Sequence, residues 1–344
     1  MNIVDLRSDT VTLPTKEMMQ AVNDSILGDD VYEEDSTTNN LEKLAAEITG
    51  KEAALLVSSG TMGNLISCLV HCDRGTEAIM GNKSHTFIYE SGGISAYGGI
   101  HSHQLLNNYD GTIDINLIKN AIRTNDVHFP ETSLICIENT HNKCYGYPLE
   151  LEYINLVSNI AHENNMKVHM DGARLFNACV ALDIPANKVV KNIDSVSFCL
   201  SKGLASPIGS MICGSRKFIL KARRIRKSLG GGMRQTGIIS SFGIISLNKM
   251  IKRIYEDHLN AKYLAKELSN LNTIDLNINR VNTNIVYFEF SHDKLTAENL
   301  IFHMKSKGIL LSNYKSNKCR LVTHHGISKA DIDYVISEFN KFIY

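Results

Sequence analysis

The fold can be read from Lys167-Val168-His169-Met170-Asp171-Gly172-Ala173-Arg174, together with Ser195-Val196-Ser197-Phe198-Cys199-Leu200-Ser201-Lys202-Gly203 further along. Each is a short run that ends on a charged residue flanked by small ones. Runs this short suit strands covered on both faces. In an open α/β sheet, functional groups gather just beyond the carboxyl ends of strands. Asp171 and Lys202 stand at two such ends, 31 positions apart. An acid beside a small residue can hold a protonated ring nitrogen; it can equally cap the next helix. A lysine at the end of a buried strand has room to react, and partial burial lowers its pKa toward what Schiff-base chemistry needs. The alternative is a lysine whose amine snorkels to solvent.

Outward from this centre the alternation continues. Residues 53–57 read as a strand, Ser58-Ser59-Gly60-Thr61 as a turn and 62–71 as a helix. Small residues, hydroxyls and free amides at a helix N-terminus make a phosphate cradle, although Ser and Thr also cap helices with no ligand present. No G-K-[ST] follows, so this is not a P-loop. Strands are expected at 134–138, 167–170, 195–200 and 210–213, with a helix at 151–164. After about Leu247 the character changes. A charged amphipathic helix at 250–271 precedes strands at 284–290 and 319–323 and helices at 296–307 and 328–342. The expected division is 1–249, an N-terminal segment and a large α/β domain, and 250–344, a smaller α+β domain.

The 344 residues carry 36 basic and 36 acidic side chains, a formal charge of zero, which argues against a broad basic surface for nucleic acid or anionic lipid. No run approaches the roughly 20 apolar residues that span a bilayer. The start, Met1-Asn2-Ile3-Val4-Asp5-Leu6-Arg7, has none of the apolar length of a signal peptide. Eight scattered cysteines without a C-x-x-C pair read as buried thiols in a reducing cytoplasm. A zinc site at Cys68, His71 and Cys72 lacks a second ligand pair, so no metal is expected. The basic run Lys217 to Lys227 raises nucleic-acid binding as a non-enzymatic alternative, against a solvated helix face.

Cradle, acid and lysine together are what a pyridoxal phosphate enzyme must supply. With them the chain carries Asp5-Leu6-Arg7-Ser8-Asp9-Thr10-Val11-Thr12, Gly28-Asp29-Asp30-Val31-Tyr32, Glu138-Asn139-Thr140-His141-Asn142, Gly230-Gly231-Gly232-Met233-Arg234-Gln235 and Arg320-Leu321-Val322-Thr323-His324. In this order the motifs resemble the low-specificity L-threonine aldolases, also called L-allo-threonine aldolases, over nearly the whole length. The resemblance implies an aspartate-aminotransferase-like (fold type I) large domain, with a mainly parallel seven-stranded sheet, and a smaller α+β domain. It implies pyridoxal 5'-phosphate as cofactor and retro-aldol cleavage of β-hydroxy-α-amino acids to glycine and an aldehyde.

By the same resemblance, Lys202 carries the cofactor as a Schiff base and Asp171 pairs with its ring nitrogen. Gly60, Thr61 and Ser201 match phosphate-side positions, and His85 matches a histidine stacked on the ring. Ser8, Arg174 and Arg320 match the grip on the substrate carboxylate, and Arg174 also stands among the cofactor contacts. An arginine fork suits a carboxylate because it makes two parallel hydrogen bonds. His128 matches a histidine near the β-hydroxyl, so His85 and His128 are the candidate bases. Lys227 and Arg234 match residues that reach the cofactor phosphate from a neighbouring subunit, which implies a homotetramer with shared sites. The segment 236–247 suits either a subunit contact or an intrachain core helix. The rival enzymatic reading is another enzyme of the same fold, an aminotransferase or β-eliminating lyase.

Overall fold

The computed structural model describes residues 3–344; Met1 and Asn2, where the stretch read as lacking a leader begins, lie outside the described residues. The strands are β1 (Val4–Asp5), β2 (Ala53–Val57), β3 (Glu77–Gly81), β4 (His101–Leu105), β5 (Thr132–Glu138), β6 (Lys167–Asp171), β7 (Ser195–Cys199), β8 (Ser210–Gly214), β9 (Ile274–Asp275), β10 (Ile285–Phe290), β11 (Ile309–Leu310), β12 (Ser312–Lys315) and β13 (Lys318–Val322). Strands β2 to β8 form one seven-stranded sheet in the order β2-β8-β7-β6-β5-β3-β4. Only β8 breaks its parallel sense, running antiparallel to both β7 and β2. This is the fold class expected from the sequence.

The strand pleat explains why both faces are covered. Leu56, Ile79, Ile135 and Ile137 join the larger core beside Leu41, Ile154 and Val157 of the helices Ser36–Thr49 and Leu151–Glu163. Their neighbours in the chain point the other way: Leu55 and Val57 meet Ile66 and Phe218, while Ala78, Met80, Leu134 and Cys136 meet Cys68. Successive residues on a strand face opposite sides, so the middle of each of these strands is apolar on both faces.

The C-terminal part carries the antiparallel sheet β12-β13-β10-β9, backed by the helices Ala297–Ser306 and Lys329–Ile343. Its core also holds Val4 and Leu6. β1 pairs in parallel with β11, Val4 against Ile309, and the Leu6 carbonyl accepts the Val322 amide at 2.9 Å. Two points differ from expectation, and one left open falls to intrachain packing. β3 and β4 were not anticipated. The helix expected over 250–271 is a π turn at Ser246–Met250, a 3₁₀ turn at Ile251–Arg253 and an α-helix only over Ile254–Leu268. The segment 236–247 supplies the helix Gly237–Ile245, whose Gly243 lies against Leu41, an intrachain packing.

Candidate active site

Asp171 closes β6, and Lys202 lies three residues beyond β7, the neighbouring strand. Adjacent parallel strands deliver both residues to the same edge of the sheet. Beyond β8, at the end of β2, Ser59 caps the helix Gly60–His71 and accepts the Met62 amide at 3.2 Å. The Gly60 and Thr61 amides open this helix, where intrahelical acceptors are lacking. A Cβ on Gly60 would sit 2.9 Å from Cys199 Sγ, so only glycine lets the backbone come this close to β7.

Gly60, Thr61, Ser201, Lys202, Asp171 and His85 line a cavity of about 140 Å³. A second cavity of about 380 Å³ shares His85, Asp171 and Lys202 and is bounded by Ser8, Arg174 and Arg320. The two adjoin through these shared residues, the smaller against the helix Gly60–His71 and the larger against the C-terminal part. Asp171 does not cap the following helix. Its Oδ1 accepts the Ala173 amide at 3.1 Å and its Oδ2 the Asn64 amide nitrogen at 2.9 Å.

His85 is held from two sides. Its backbone N–H donates to Glu138 Oε2 and its Nδ1 meets Glu90 Oε1, both at 2.8 Å. Burial opposes the imidazolium, but the bond to Glu90 and the charges of Asp171 and Glu90 outweigh it, raising His85 above the ordinary histidine value. Burial, with the nearby charge of Asp171, pushes the Glu90 carboxyl up as well. Glu138 Oε1 accepts the Asn142 amide at 2.8 Å, so one carboxylate at the end of β5 fastens both the His85 and the Asn142 loops.

Of the residues expected to grip the substrate carboxylate, Arg174 and Arg320 are already engaged within the chain. Arg174 Nε and Nη2 both bond Asp9, each at 2.7 Å. Burial alone would raise Asp9, but the charge and bonds of Arg174 hold it far below the usual carboxylate range. The Arg174 fork is therefore filled from within the chain, and Nη1 alone turns to Asn142 Oδ1 at 3.3 Å. Arg320 Nη1 bonds the same Asn142 Oδ1 at 2.8 Å and Nη2 the Arg7 carbonyl at 3.0 Å, while its buried Nε has no partner. Ser8 caps the short turn Asp9–Val11 at the cavity rim.

Three expected residues are not brought in. His128 is exposed and bonds Asp126 at 2.6 Å, outside both cavities. Lys227 ends the helix Arg216–Ser228, and Arg234 bonds Asp29 at 3.0 Å; neither lines the cleft of its own chain. On that helix Arg223 pairs with Glu42 and Arg226 with Asp30, so part of the basic run is neutralised internally. Asn64, Glu90, Asp9, Glu138 and Asn142 had no assigned role in the sequence reading. The last three lie in quoted motifs, which was the available signal; Asn64 and Glu90 carried none. His85, Glu90 and Asp171 place ligand atoms within 4.8 Å of one another, but bonds among their own neighbours engage all three.

Comparison with known proteins agrees with this geometry. The beta-eliminating lyase family matches residues 5–291. A low-specificity L-threonine aldolase of Arabidopsis thaliana is 46% identical over 345 residues, covering 99% of this chain and 96% of its own. A low-specificity L-threonine aldolase of Escherichia coli is 38% identical, covering 99% of both. Among solved structures, the threonine aldolase of Leishmania major superposes with a TM-score of 0.82 at 18% identity, covering 99% of this chain and all of that one, 100%. The chain belongs to the beta-eliminating lyase family and, within it, to the low-specificity L-threonine aldolases.

Proposed function

We propose that the chain is a pyridoxal-phosphate-dependent aldehyde-lyase that cleaves L-threonine, L-allo-threonine and related β-hydroxy-α-amino acids to glycine and an aldehyde. The observation that carries this reading is the single cleft in which Lys202 and Asp171 face Arg320 and Ser8. The residues fit the cofactor. Lys202 would hold it covalently, Asp171 would face its ring nitrogen, and the amides of Gly60 and Thr61 with Ser201 would take its phosphate. When bound, the cofactor supplies an electron sink for the substrate Cα.

The chain's own groups do the rest. Arg320 takes the substrate carboxylate through the N–H hydrogens of Nη1 and Nη2 that its bonds to Asn142 and the Arg7 carbonyl leave over. Asp9 and Asn142 stiffen the arginine pair, and fixing the carboxylate decides which Cα bond stands ready to break. Glu90 engages Nδ1 of His85 and so leaves Nε2 as the acceptor for the β-hydroxyl proton, directly or through one water.

The proposal extends to a homotetramer in which His128, Lys227 and Arg234, standing outside their own cleft, reach that of a neighbouring copy. It also extends to a cytoplasmic location; the eight buried, unpaired thiols support a reducing compartment. No helix among the described residues is long and apolar enough to cross a membrane.

The test is incubation of the cofactor-loaded protein with each threonine diastereomer, measuring glycine and acetaldehyde. Release of ammonia, or exchange of the amino group, without acetaldehyde would move the assignment to the rival lyase or aminotransferase. Lys202→Ala is expected to lose the yellow band of lysine-bound cofactor and at least about a thousandfold in kcat.

A further inference from the structure

Behind Asp171 runs a file of buried polar side chains that the proposed reaction does not itself use. Asn64, His169, Ser195 and Ser197 are each almost fully buried. The Asn64 amide nitrogen donates to Asp171 Oδ2 at 2.9 Å and to Glu90 Oε1 at 2.8 Å. Its oxygen accepts from Ser197 Oγ at 2.7 Å and meets His169 Nε2 at 3.1 Å. Two carboxylate oxygens at one end of this amide admit only its NH₂ there, because an amide oxygen would be repelled. The oxygen therefore faces His169, and His169 Nε2 must carry a hydrogen.

Burial pushes the His169 ring down to about 4, so it is neutral near pH 7 and its Nδ1 is a lone pair. The Ser195 hydroxyl, 2.9 Å away, then has to donate to Nδ1. Its oxygen is left to accept from His71 Nε2 at 2.8 Å. Every donor in the file points the same way, from His71 to Asp171. His71 lines a separate opening of about 640 Å³ together with Lys167, Asp194 and Lys221.

We propose that Asn64, His169, Ser195 and His71 are positioning residues: an aligned hydrogen-bond relay that runs along one face of the sheet, beneath the helix Gly60–His71, and fixes the Asp171 carboxylate where it faces the cofactor ring. The proposal rests on the functional reading above. Aligned bonds in a low-dielectric interior polarise one another, so a break two links from Asp171 is felt at its carboxylate. The relay also fixes the Asn64 amide, and Asn64 fixes the spacing of Asp171 and Glu90. The acid facing the cofactor and the partner of His85 therefore share one support.

The test compares His169→Leu, which removes both ring nitrogens, with His169→Gln, which restores an amide donor toward Asn64. Each protein is stripped of cofactor and titrated with pyridoxal 5'-phosphate, following the yellow band. The expected result is about tenfold weaker binding and a displaced pH midpoint of the band in His169→Leu, with His169→Gln returning to within about threefold of the parent. A His169→Leu protein that melts earlier but keeps the parent's Kd and band would make the file merely structural and overturn the proposal. If His169→Leu does not fold, Ser195→Ala is titrated instead; about threefold weaker binding supports the relay and an unchanged Kd overturns it. A parent protein that forms no yellow band at all would instead sink the functional reading, before any variant is compared.

Discussion

Asp9 and Arg174 make a buried, doubly bonded ion pair at the wall of the larger of the two adjoining cavities. Removing one partner from such a pair costs about 3–5 kcal/mol, because the other charge is left dry and alone. Asp9→Asn should therefore lower the melting temperature and raise KM more than it lowers kcat, since Arg174 would turn away from Asn142. Thermal melts and initial rates check both; an unchanged KM would show that the Asp9 bond does not set the carboxylate end. Arg320→Lys keeps the charge but loses the fork, and a tenfold or larger rise in KM is expected. Asp171 and Lys202 were legible because a strand end announces itself in the apolar run before it. Asn64 and Glu90 were not. Asn64 meets Asp171 across 107 positions and acquires its role only when a helix is laid against the sheet. His128 was legible by resemblance alone, and the fold of one chain leaves it in solvent.

The elements that carry these residues are set by close approach. Gly172 follows Asp171 where β6 leaves β7, and its N–H donates to the Ser197 carbonyl at 2.9 Å. A Cβ at this glycine would lie 2.7 Å from that same oxygen. Gly172→Ala must push the strand ends apart and shift Asp171 relative to Lys202. Overpacking of this kind costs about 1–3 kcal/mol. Cofactor affinity is expected to fall at least tenfold, and a cofactor titration alongside a urea melt measures the two effects separately. The central strands were readable because one face at least of each is apolar, as Val168 and Met170 in β6 and Val196 and Phe198 in β7, between turn residues. β4 was not, because His101-Ser102-His103-Gln104-Leu105 is a partly exposed edge with no apolar run. β3 hid for another reason: it begins on Glu77, a fully buried acid paired with His103 and Arg123, which reads in sequence as a surface residue. The long C-terminal helix was drawn too early because a π turn keeps apolar spacing while changing the hydrogen-bond ladder.

For the whole molecule, the buried histidines set an acid limit. Burial holds His169 and His258 near 4 and His71 near 3, against an ordinary value of 6.5. Below pH 6.5 the unfolded chain takes up protons on all three while the folded chain does not, so stability is full above that value and falls as pH drops. Asp257, pushed up to about 6 by burial, works the other way, and Glu42 and Glu90 share its sign. His325, also held down by burial, adds to the three histidines, and His85, held up against its burial by Glu90, opposes them until it is protonated in both states. The four depressed histidines then outnumber the three raised carboxyls, so the unfolded chain takes up more protons as pH falls toward 5. Urea midpoints should fall steadily from pH 7 to pH 5; a flat or rising profile would contradict these burials. Composition, with its equal counts of acids and bases, was blind to this, because the effect comes from where these groups sit and not from how many there are.

The pairing of β1 with β11 also has a consequence for how the protein is made. The strand that leads into Ser8 and Asp9 is synthesised about 300 residues before its partner at Ile309–Leu310. At about 5–20 residues per second, the ribosome needs roughly 15–60 s to cover that interval. The seven-stranded sheet can close during this time, because β8 is complete by Gly214. The strand that supplies Asp9 cannot dock, and until it does Arg174 has no counter-ion. Completion of the cleft is thus a late event in biogenesis, tied to emergence of the C-terminal strands. A nascent chain stalled before Ile309 would hold a finished sheet and an unfinished catalyst.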